Sequence, residues 1–367
     1  MRSINESTEN FEQWLASQLA DRGGCDRTAL RRKHARMKKD PHSFLRATFY
    51  RWAELWPADD AVQVRAVGDT HVENFGTWRD AEGRLVWGVN DFDEAGTMPW
   101  PSDLVRLGVS AHLAVKRLQG TAPSSSKVCR AIWHGYRKAV EKGKPAPMIL
   151  DGQRKTWRRV VRKLIKEQTP KAFWRQEKRK LDPAQNVPPA AVAALQAALP
   201  PTAGQPTFHQ RRTDAPKGLG SLGKRRFHAN AKWKGEPIVR EAKAVTESAL
   251  AWARKAAAGP GIASMLLSPA HSPDACQAII DGWSVRRLAA NSSKIQLKDL
   301  LREIKSVRDK LSLFHSMGAE LGSLHVASET AKELQDEVAR RSASWLRQAI
   351  REWHSQVRKD YKAFEPP

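Results

Sequence analysis

Apolar and polar residues alternate over Val62, Val64 and Ala66 until Gly68 breaks the pattern, the period of a half-buried strand. A second strand is predicted over residues 85–89. Each strand runs into a polar turn: Asp69, His71, Glu73 and Asn74, closed by Gly76, follow the first, and Asn90, Asp91, Phe92, Asp93 and Glu94 follow the second. Phe44, Leu45, Phe49, Trp52 and Leu55 recur at helical spacing, which predicts one amphipathic helix over residues 44–56 beneath the Asp69 turn. Further helices are predicted over residues 10–20, 27–39, 103–118, 124–141 and 244–258, and from residue 296 the chain reads as mostly helical. Alternation over residues 226–231, then 237–243 and 282–288, predicts three more strands.

Composition changes this picture in two places. Residues 183–206 are rich in Ala and Pro and read as a short helix between linkers, a candidate domain boundary. Between Arg154 and Lys180 basic residues crowd together with Trp157, Phe173 and Trp174. That stretch reads in two ways, as a nucleic-acid surface built on phosphate contacts and stacking, or as a helix burying Trp157, Val160, Val161, Leu164 and Ile165 behind a charged face. The basic run at 27–39 reads as a solvated face. The 367 residues are enough for two packed lobes. A net charge of +24 favours polyanionic partners: nucleic acid, acidic lipid or the triphosphate of a nucleotide. Cys25, Cys129 and Cys276 are few, odd in number and far apart, which indicates neither a disulfide framework nor a zinc site. No signal-like start and no run near ~18 apolar residues is present, so a soluble cytoplasmic protein is expected.

The two polar turns carry the chemistry. Carboxylates at two strand ends, with Asn74 five residues after Asp69, suit a hard cation such as Mg2+, which takes one or two carboxylates and fills its remaining positions with phosphate and water. The string Gly68-Asp69-Thr70-His71-Val72-Glu73-Asn74, followed by Asn90-Asp91-Phe92-Asp93-Glu94-Ala95-Gly96 and Trp100-Pro101-Ser102-Asp103-Leu104, resembles the catalytic loop and metal-binding segment of kinase-like phosphotransferases, the aminoglycoside and choline kinase branch above all. The longer string also looks like the bacterial family called domain of unknown function 2252, which is grouped with kinase-like folds. The resemblance implies ATP and Mg2+ as cofactors. Asp69 would orient or deprotonate an acceptor hydroxyl and His71 would brace the loop. Asn74 and Asp91 would hold Mg2+, Asp93 would assist a second ion, and Asp103 would hold the catalytic loop.

Gly218-Leu219-Gly220-Ser221-Leu222-Gly223 is a G-x-G-x-x-G string with no apolar strand before it and no amphipathic helix after it, which argues against a dinucleotide-binding turn. With strands expected on either side, Gly218, Gly220 and Gly223 would instead cover nucleotide phosphates as in a kinase small lobe. The phosphate-pairing cation is Lys243 or Arg240, and Glu247 is a candidate partner for it. Residues 317–325, ending in Leu324-His325, resemble the helix that precedes the catalytic loop in small-molecule kinases, and His325 reads as a satisfied core residue.

These parts stand in shifted order, because the glycine string follows the catalytic loop. The expectation is therefore an α+β, protein-kinase-like two-lobed fold, circularly permuted, with a mostly helical large lobe and a small lobe built on an antiparallel sheet. Residues 1–182 would carry the catalytic loop and metal site, 183–206 the linker, 207–290 the nucleotide-covering lobe and 291–367 the helical remainder of the large lobe. Asp103 follows Asp91 too closely for a long peptide-docking segment, so a small hydroxyl- or amine-bearing acceptor is expected. AMP transfer on the same cleft is the near alternative. A basic nucleic-acid-binding or adaptor protein with a degenerate cleft is the distant one.

Overall fold

The computed structural model describes residues 2–57, 60–116, 122–153, 155–162, 170–182, 187–212, 214, 218–219, 223–290, 293–294, 304 and 306–366. It is a mixed α+β chain with antiparallel sheets. The helices are α1 Ile4–Gln18, α2 Arg27–Met37, α3 Pro41–Ala47, α4 Phe49–Leu55, α5 Pro101–Lys116, α6 Ser125–Lys142, α7 Lys155–Arg162, α8 Pro170–Lys178, α9 Pro189–Ala197, α10 Ala249–Arg254, α11 Ile262–Leu266, α12 Val307–His325, α13 Ala331–Ala339 and α14 Ala343–Ala363. The strands are β1 Gln63–Ala66, β2 Phe75–Arg79, β3 Leu85–Val89, β4 Gly96–Pro99, β5 Met148–Ile149, β6 Thr207–Gln210, β7 Arg226–Trp233, β8 Glu236–Ala244, β9 Ala278–Ile280, β10 Trp283–Leu288 and β11 Ser293–Lys294.

Among the described residues the strands form three sheets. β1 pairs with β4, β11-β2-β3-β5 form a four-stranded sheet, and β6-β7-β8-β10-β9 form a five-stranded one. The helical core lies around α5, α6, α12 and α14, where Leu104, Ile132, Tyr136, Met317, Leu321 and Leu346 are buried. α6 and α12 approach to backbone contact: a Cβ at Gly135 would strike the carbonyl of His315, and one at Gly318 that of Ile132. The two ends of the chain meet, since Glu365 N donates to Asn5 Oδ1 at 2.9 Å and Asn5 Nδ2 donates to Ala363 O at 3.4 Å.

Local chemistry explains where the elements start and stop. α1 begins at residue 4, earlier than expected, because Ser3 and Glu6 form a reciprocal capping box. The expected helix over 44–56 is instead two helices, α3 and α4. Thr48 between them leaves helical geometry (φ −124°, ψ 42°) and its Oγ1 donates back to Phe44 O at 2.9 Å, a competing bond that bends helices. The expected helix over 244–258 is shortened as well. β8 continues through Ala244, where it pairs with Trp283, and α10 stops at Lys255 in the left-handed region. The helix expected within 183–206 is present as α9, which packs on the five-stranded sheet with Ala191, Ala194 and Leu195 buried.

Candidate functional site

The two polar turns form one side of the site. β1 ends at Ala66 and is followed two residues on by Gly68, whose φ of +82° and proximity to the Glu94 carbonyl leave no room for a Cβ. Beyond it the chain is tied down by Asp103, a fully buried carboxylate near the start of α5. Asp103 accepts from Val67 N at 2.6 Å and Gly68 N at 2.9 Å. His325, at the end of α12, lies 3.2 Å from the same carboxylate and 2.9 Å from the Tyr136 hydroxyl. A helix start, a helix end and the strand exit are thus joined through one acid. His325 is a satisfied core residue that braces this joint.

Asp69 follows. Its Oδ1 accepts from Arg106, at 2.5 Å from Nη2 and 3.2 Å from Nε, and its Oδ2 is 3.9 Å from His71 Nε2. Burial pushes the Asp69 carboxyl up from its ordinary range, while the Arg106 guanidinium opposes the shift. His71 also accepts from Glu73 N at 3.2 Å through Nδ1, which shapes the short 3-10 turn Val72–Asn74. Asn74 joins both turns: its Nδ2 donates to Asp69 O at 3.2 Å and to Asp91 O at 3.0 Å. That leaves Asn74 Oδ1 buried without a hydrogen-bond partner among the described residues. The Asp91 side chain remains 31 % exposed.

The other side of the site is a face of the five-stranded sheet. Arg226 and His228 on β7, Glu241 and Lys243 on β8, and Ser284 and Arg286 on β10 are register neighbours, so their side chains share one face. Glu241 is buried at its centre, held by Arg226 at 2.9 Å, His228 at 3.1 Å and Arg286 at 2.7 Å. Lys243 reaches across to the polar turns, where its ammonium is bonded to Asp93 and lies 3.9 Å from Asp91 Oδ1. Burial lowers the Lys243 pKa, and Asp93 and Asp91 oppose that shift. Lys224, the residue after Gly223, is 3.8 Å from Asp93 Oδ2.

Asp69, His71, Asn74, Asp91, Asp93 and Lys243 therefore gather in one place. Arg240 does not join them. It lies three residues from Lys243 on a strand and so faces the opposite side, where its Nε donates to Ala198 O at 2.9 Å beyond the end of α9. Gly218 is exposed, Gly223 stands beside Lys224, and Gly220 lies outside the described residues. Glu247 lines a small cavity next to Asp69. Among the described residues no three His, Cys, Asp or Glu side chains form a metal cage. The donor set present suits Mg2+ better, since that ion needs only one or two protein oxygens beside phosphate. Asn74 Oδ1, which has no hydrogen-bond partner among the described residues, and the part-exposed Asp91 carboxylate are oxygens of this kind.

Lys224, Arg106, Arg226, Arg286 and Glu241 were not singled out from the sequence. Lys224 was signalled by its place after the glycine string, and the strand period puts Arg226 and Glu241 on the Lys243 face. In the basic stretch, Val160 and Val161 are buried and Trp157 is packed against the core. Lys155, Arg159, Lys171 and Arg175 are exposed, while Arg154 and residues 163–169 lie outside the described residues. Among the described residues no helix is long and apolar enough to cross a membrane.

No curated protein and no solved structure matches the chain. Residues 25–199, a span that holds Asp69, Asn74, Asp91 and Asp103 and stops short of Lys243, match the model of the bacterial family described as "Uncharacterized protein conserved in bacteria (DUF2252)".

Proposed function

We propose that the chain is an ATP- and Mg2+-dependent phosphotransferase with a kinase-like cleft whose parts occur in permuted order, acting on a small hydroxyl- or amine-bearing acceptor. The observation that carries this reading is the meeting of Lys243, on a strand of the five-stranded sheet, with Asp91 and Asp93 in the turn between β3 and β4, 150 positions apart in the chain for the Lys243–Asp93 pair. Two further facts support it. Asn5 and Glu365 are hydrogen-bonded, so that segments far apart in the chain lie side by side, as a permuted fold allows, and His325 at the end of α12 contacts the acid that holds the Asp69 loop.

The roles follow from charge and position. Lys243, Lys224, Arg226 and Arg286 supply positive charge for nucleotide phosphates, and the end of the glycine string at Gly223 lies next to them. Asn74 Oδ1 and Asp91 would hold Mg2+, and Lys243, now bonded to Asp93, would pair with phosphate. Bound Mg2+ neutralises charge on the phosphates. Asp69, fixed through Oδ1 by Arg106, has Oδ2 to orient the acceptor and take its proton, and the upward pKa push from burial makes it a better base.

Thermal stability with ATP, with Mg2+ and with both tests the reading. A ligand at 100 times its dissociation constant adds about 2.7 kcal/mol. The expected result is a shift that needs both ligands, is lost in Asp91→Ala and Lys243→Met, and persists in Arg240→Ala. No shift at saturation refutes it. Release of pyrophosphate in place of ADP identifies AMP transfer, and salt-sensitive nucleic-acid binding that survives Asp91→Ala identifies the adaptor reading.

A further inference from the structure

Lys33 stands out among the cations near the site. It lies on α2, whose Arg31 and Arg32 are exposed, and the sequence reads this run as a solvated face. Lys33 instead points inward and is 3 % exposed. Its ammonium sits 5.3 Å from the centroid of the Tyr50 ring and 5.8 Å from that of Phe11. Cation–π contact compensates a buried ammonium only in part, and among the described residues no carboxylate lies within ion-pair distance of it. The neighbouring cations differ in this respect. Arg106 holds Asp69, Arg46 holds Glu73 and Lys243 holds Asp93.

Lys33 lines a cavity of about 20 Å³ together with Asp69, Glu94, Phe49, Tyr50 and Trp14. This is room for one or two water-sized groups. The other charges around it are spoken for. Asp69 is bonded to Arg106. Glu94 accepts from Ala249 N at 2.7 Å and from Ser248 Oγ at 3.1 Å, and burial pushes its pKa up to about 7. Glu247 is exposed. Lys224, which also lines the cavity, is 3.8 Å from Asp93, and Glu12 is 2.8 Å from His34. Among the described residues lining the cavity, Lys33 is thus the buried cation with no carboxylate in ion-pair contact; burial lowers its pKa while Glu12, Glu94 and Asp69 act from a distance to raise it, and it opens on the same cavity as the carboxylate that would activate the acceptor. A buried ammonium without an anion is costly to keep, which makes an incoming anion its natural partner.

We propose that this cavity is the acceptor subsite and that Lys33 binds a carboxylate or phosphate group carried by a hydroxyl-bearing acceptor. This deepens, and as an acceptor assignment rests on, the phosphotransfer reading above. Up to two oxygens of the anionic group occupy the cavity beside Lys33, and the rest of the acceptor, with its hydroxyl at Asp69, lies at the cavity's open mouth. In the transfer step the acceptor oxygen forms a bond to the γ-phosphorus of ATP, the bond from that phosphorus to ADP breaks, and the hydroxyl proton passes to Asp69 Oδ2.

The test is the thermal midpoint of the full chain at constant ionic strength with four probes: glycerate, glycerol 3-phosphate, glycerol and ethanolamine. At least one of the two anions should raise the midpoint, and which one does so separates carboxylate from phosphate; glycerol and ethanolamine should not. Lys33→Met should weaken the anion at least about tenfold, keep the Mg2+–ATP shift and raise the ligand-free midpoint, because a desolvated charge is removed. Lys243→Met should keep the anion shift, which separates this site from the nucleotide cleft. The proposal is overturned if neither anion acts, if glycerol or ethanolamine acts equally, or if Lys33→Met leaves the anion shift intact. Collapse of both Lys33→Met and Lys33→Leu without ligand makes Lys33 structural and overturns it too. An anion shift without a Mg2+–ATP shift sinks the phosphotransfer reading and leaves an anion site at Lys33; the reverse sinks this proposal alone.

Discussion

Replacing Asp103 tests whether the joint beneath the Asp69 loop is what fixes it. The carboxylate is fully buried and takes two backbone donors, Val67 N and Gly68 N, with His325 as its third neighbour. A hydrogen bond to an ionised acceptor contributes about 1.5–3 kcal/mol. Asp103→Ala removes both backbone bonds and leaves the amides buried, so about 3–6 kcal/mol is at stake, and water entering the vacated volume lowers this to about 3–5 kcal/mol. Asp103→Asn keeps one acceptor oxygen but turns a donor towards one of the amides, for a loss of about 2–3 kcal/mol. Tyr136→Phe removes only the outer bond to His325 and should cost about 1 kcal/mol. Urea unfolding followed by tryptophan fluorescence, for which the chain has 14 tryptophans, measures each midpoint and slope. The variants should rank Ala, Asn, then Phe in severity. A loss below about 1 kcal/mol for Asp103→Ala at unchanged slope refutes the reasoning, because two buried amides cannot lose an ionised acceptor so cheaply.

Two further outcomes follow from single groups. Gly68→Ala places a Cβ at φ +82° and against the Glu94 carbonyl. It should cost more than the roughly 1–2 kcal/mol of the left-handed conformation alone, measured by the same unfolding experiment; a neutral result means the turn is not held as described. Glu320 on α12 is buried; among the described residues Val89 N alone donates to it, at 3.3 Å, and its Oε2 has no partner, and burial pushes its pKa up to about 8. A carboxyl whose folded pKa is raised binds its proton more tightly in the folded state, so its contribution to stability is full below about pH 4.5 and is lost as the pH rises towards 8. Glu320→Gln should remove that decline and exceed the parent in stability above pH 8; parallel stability curves for parent and variant across this range count against it.

The elements that were legible in the sequence are those whose signal is local. β3 and α6 follow their patterns closely, and a serine cap and a left-handed Gly143 bound α6. The break at Thr48 was not legible, because helical spacing of apolar residues continues straight through it and only a side-chain bond to the preceding turn marks it. The same division runs through the site. Asp69, Asn74 and Asp91 occupy two turns that a short stretch of sequence brings together, and Asn74 bonds to the backbone of both. The choice between Lys243 and Arg240 needed an anchor outside the motif. A strand turns residues 240 and 243 to opposite faces, but which face meets the acids depends on pairing with β7 and β10. Lys33 was hidden for a further reason. Net charge along a helix describes its average surroundings, and in α2 the exposed Arg31 and Arg32 mask the one ammonium turned inwards. A motif reports the chemistry that needs close spacing in the chain, whereas a cavity assembled from α1, α2, α4 and the Asp69 turn has no such spacing to report. Burial without a partner is the physical sign that remains, and it becomes visible only once the chain is folded.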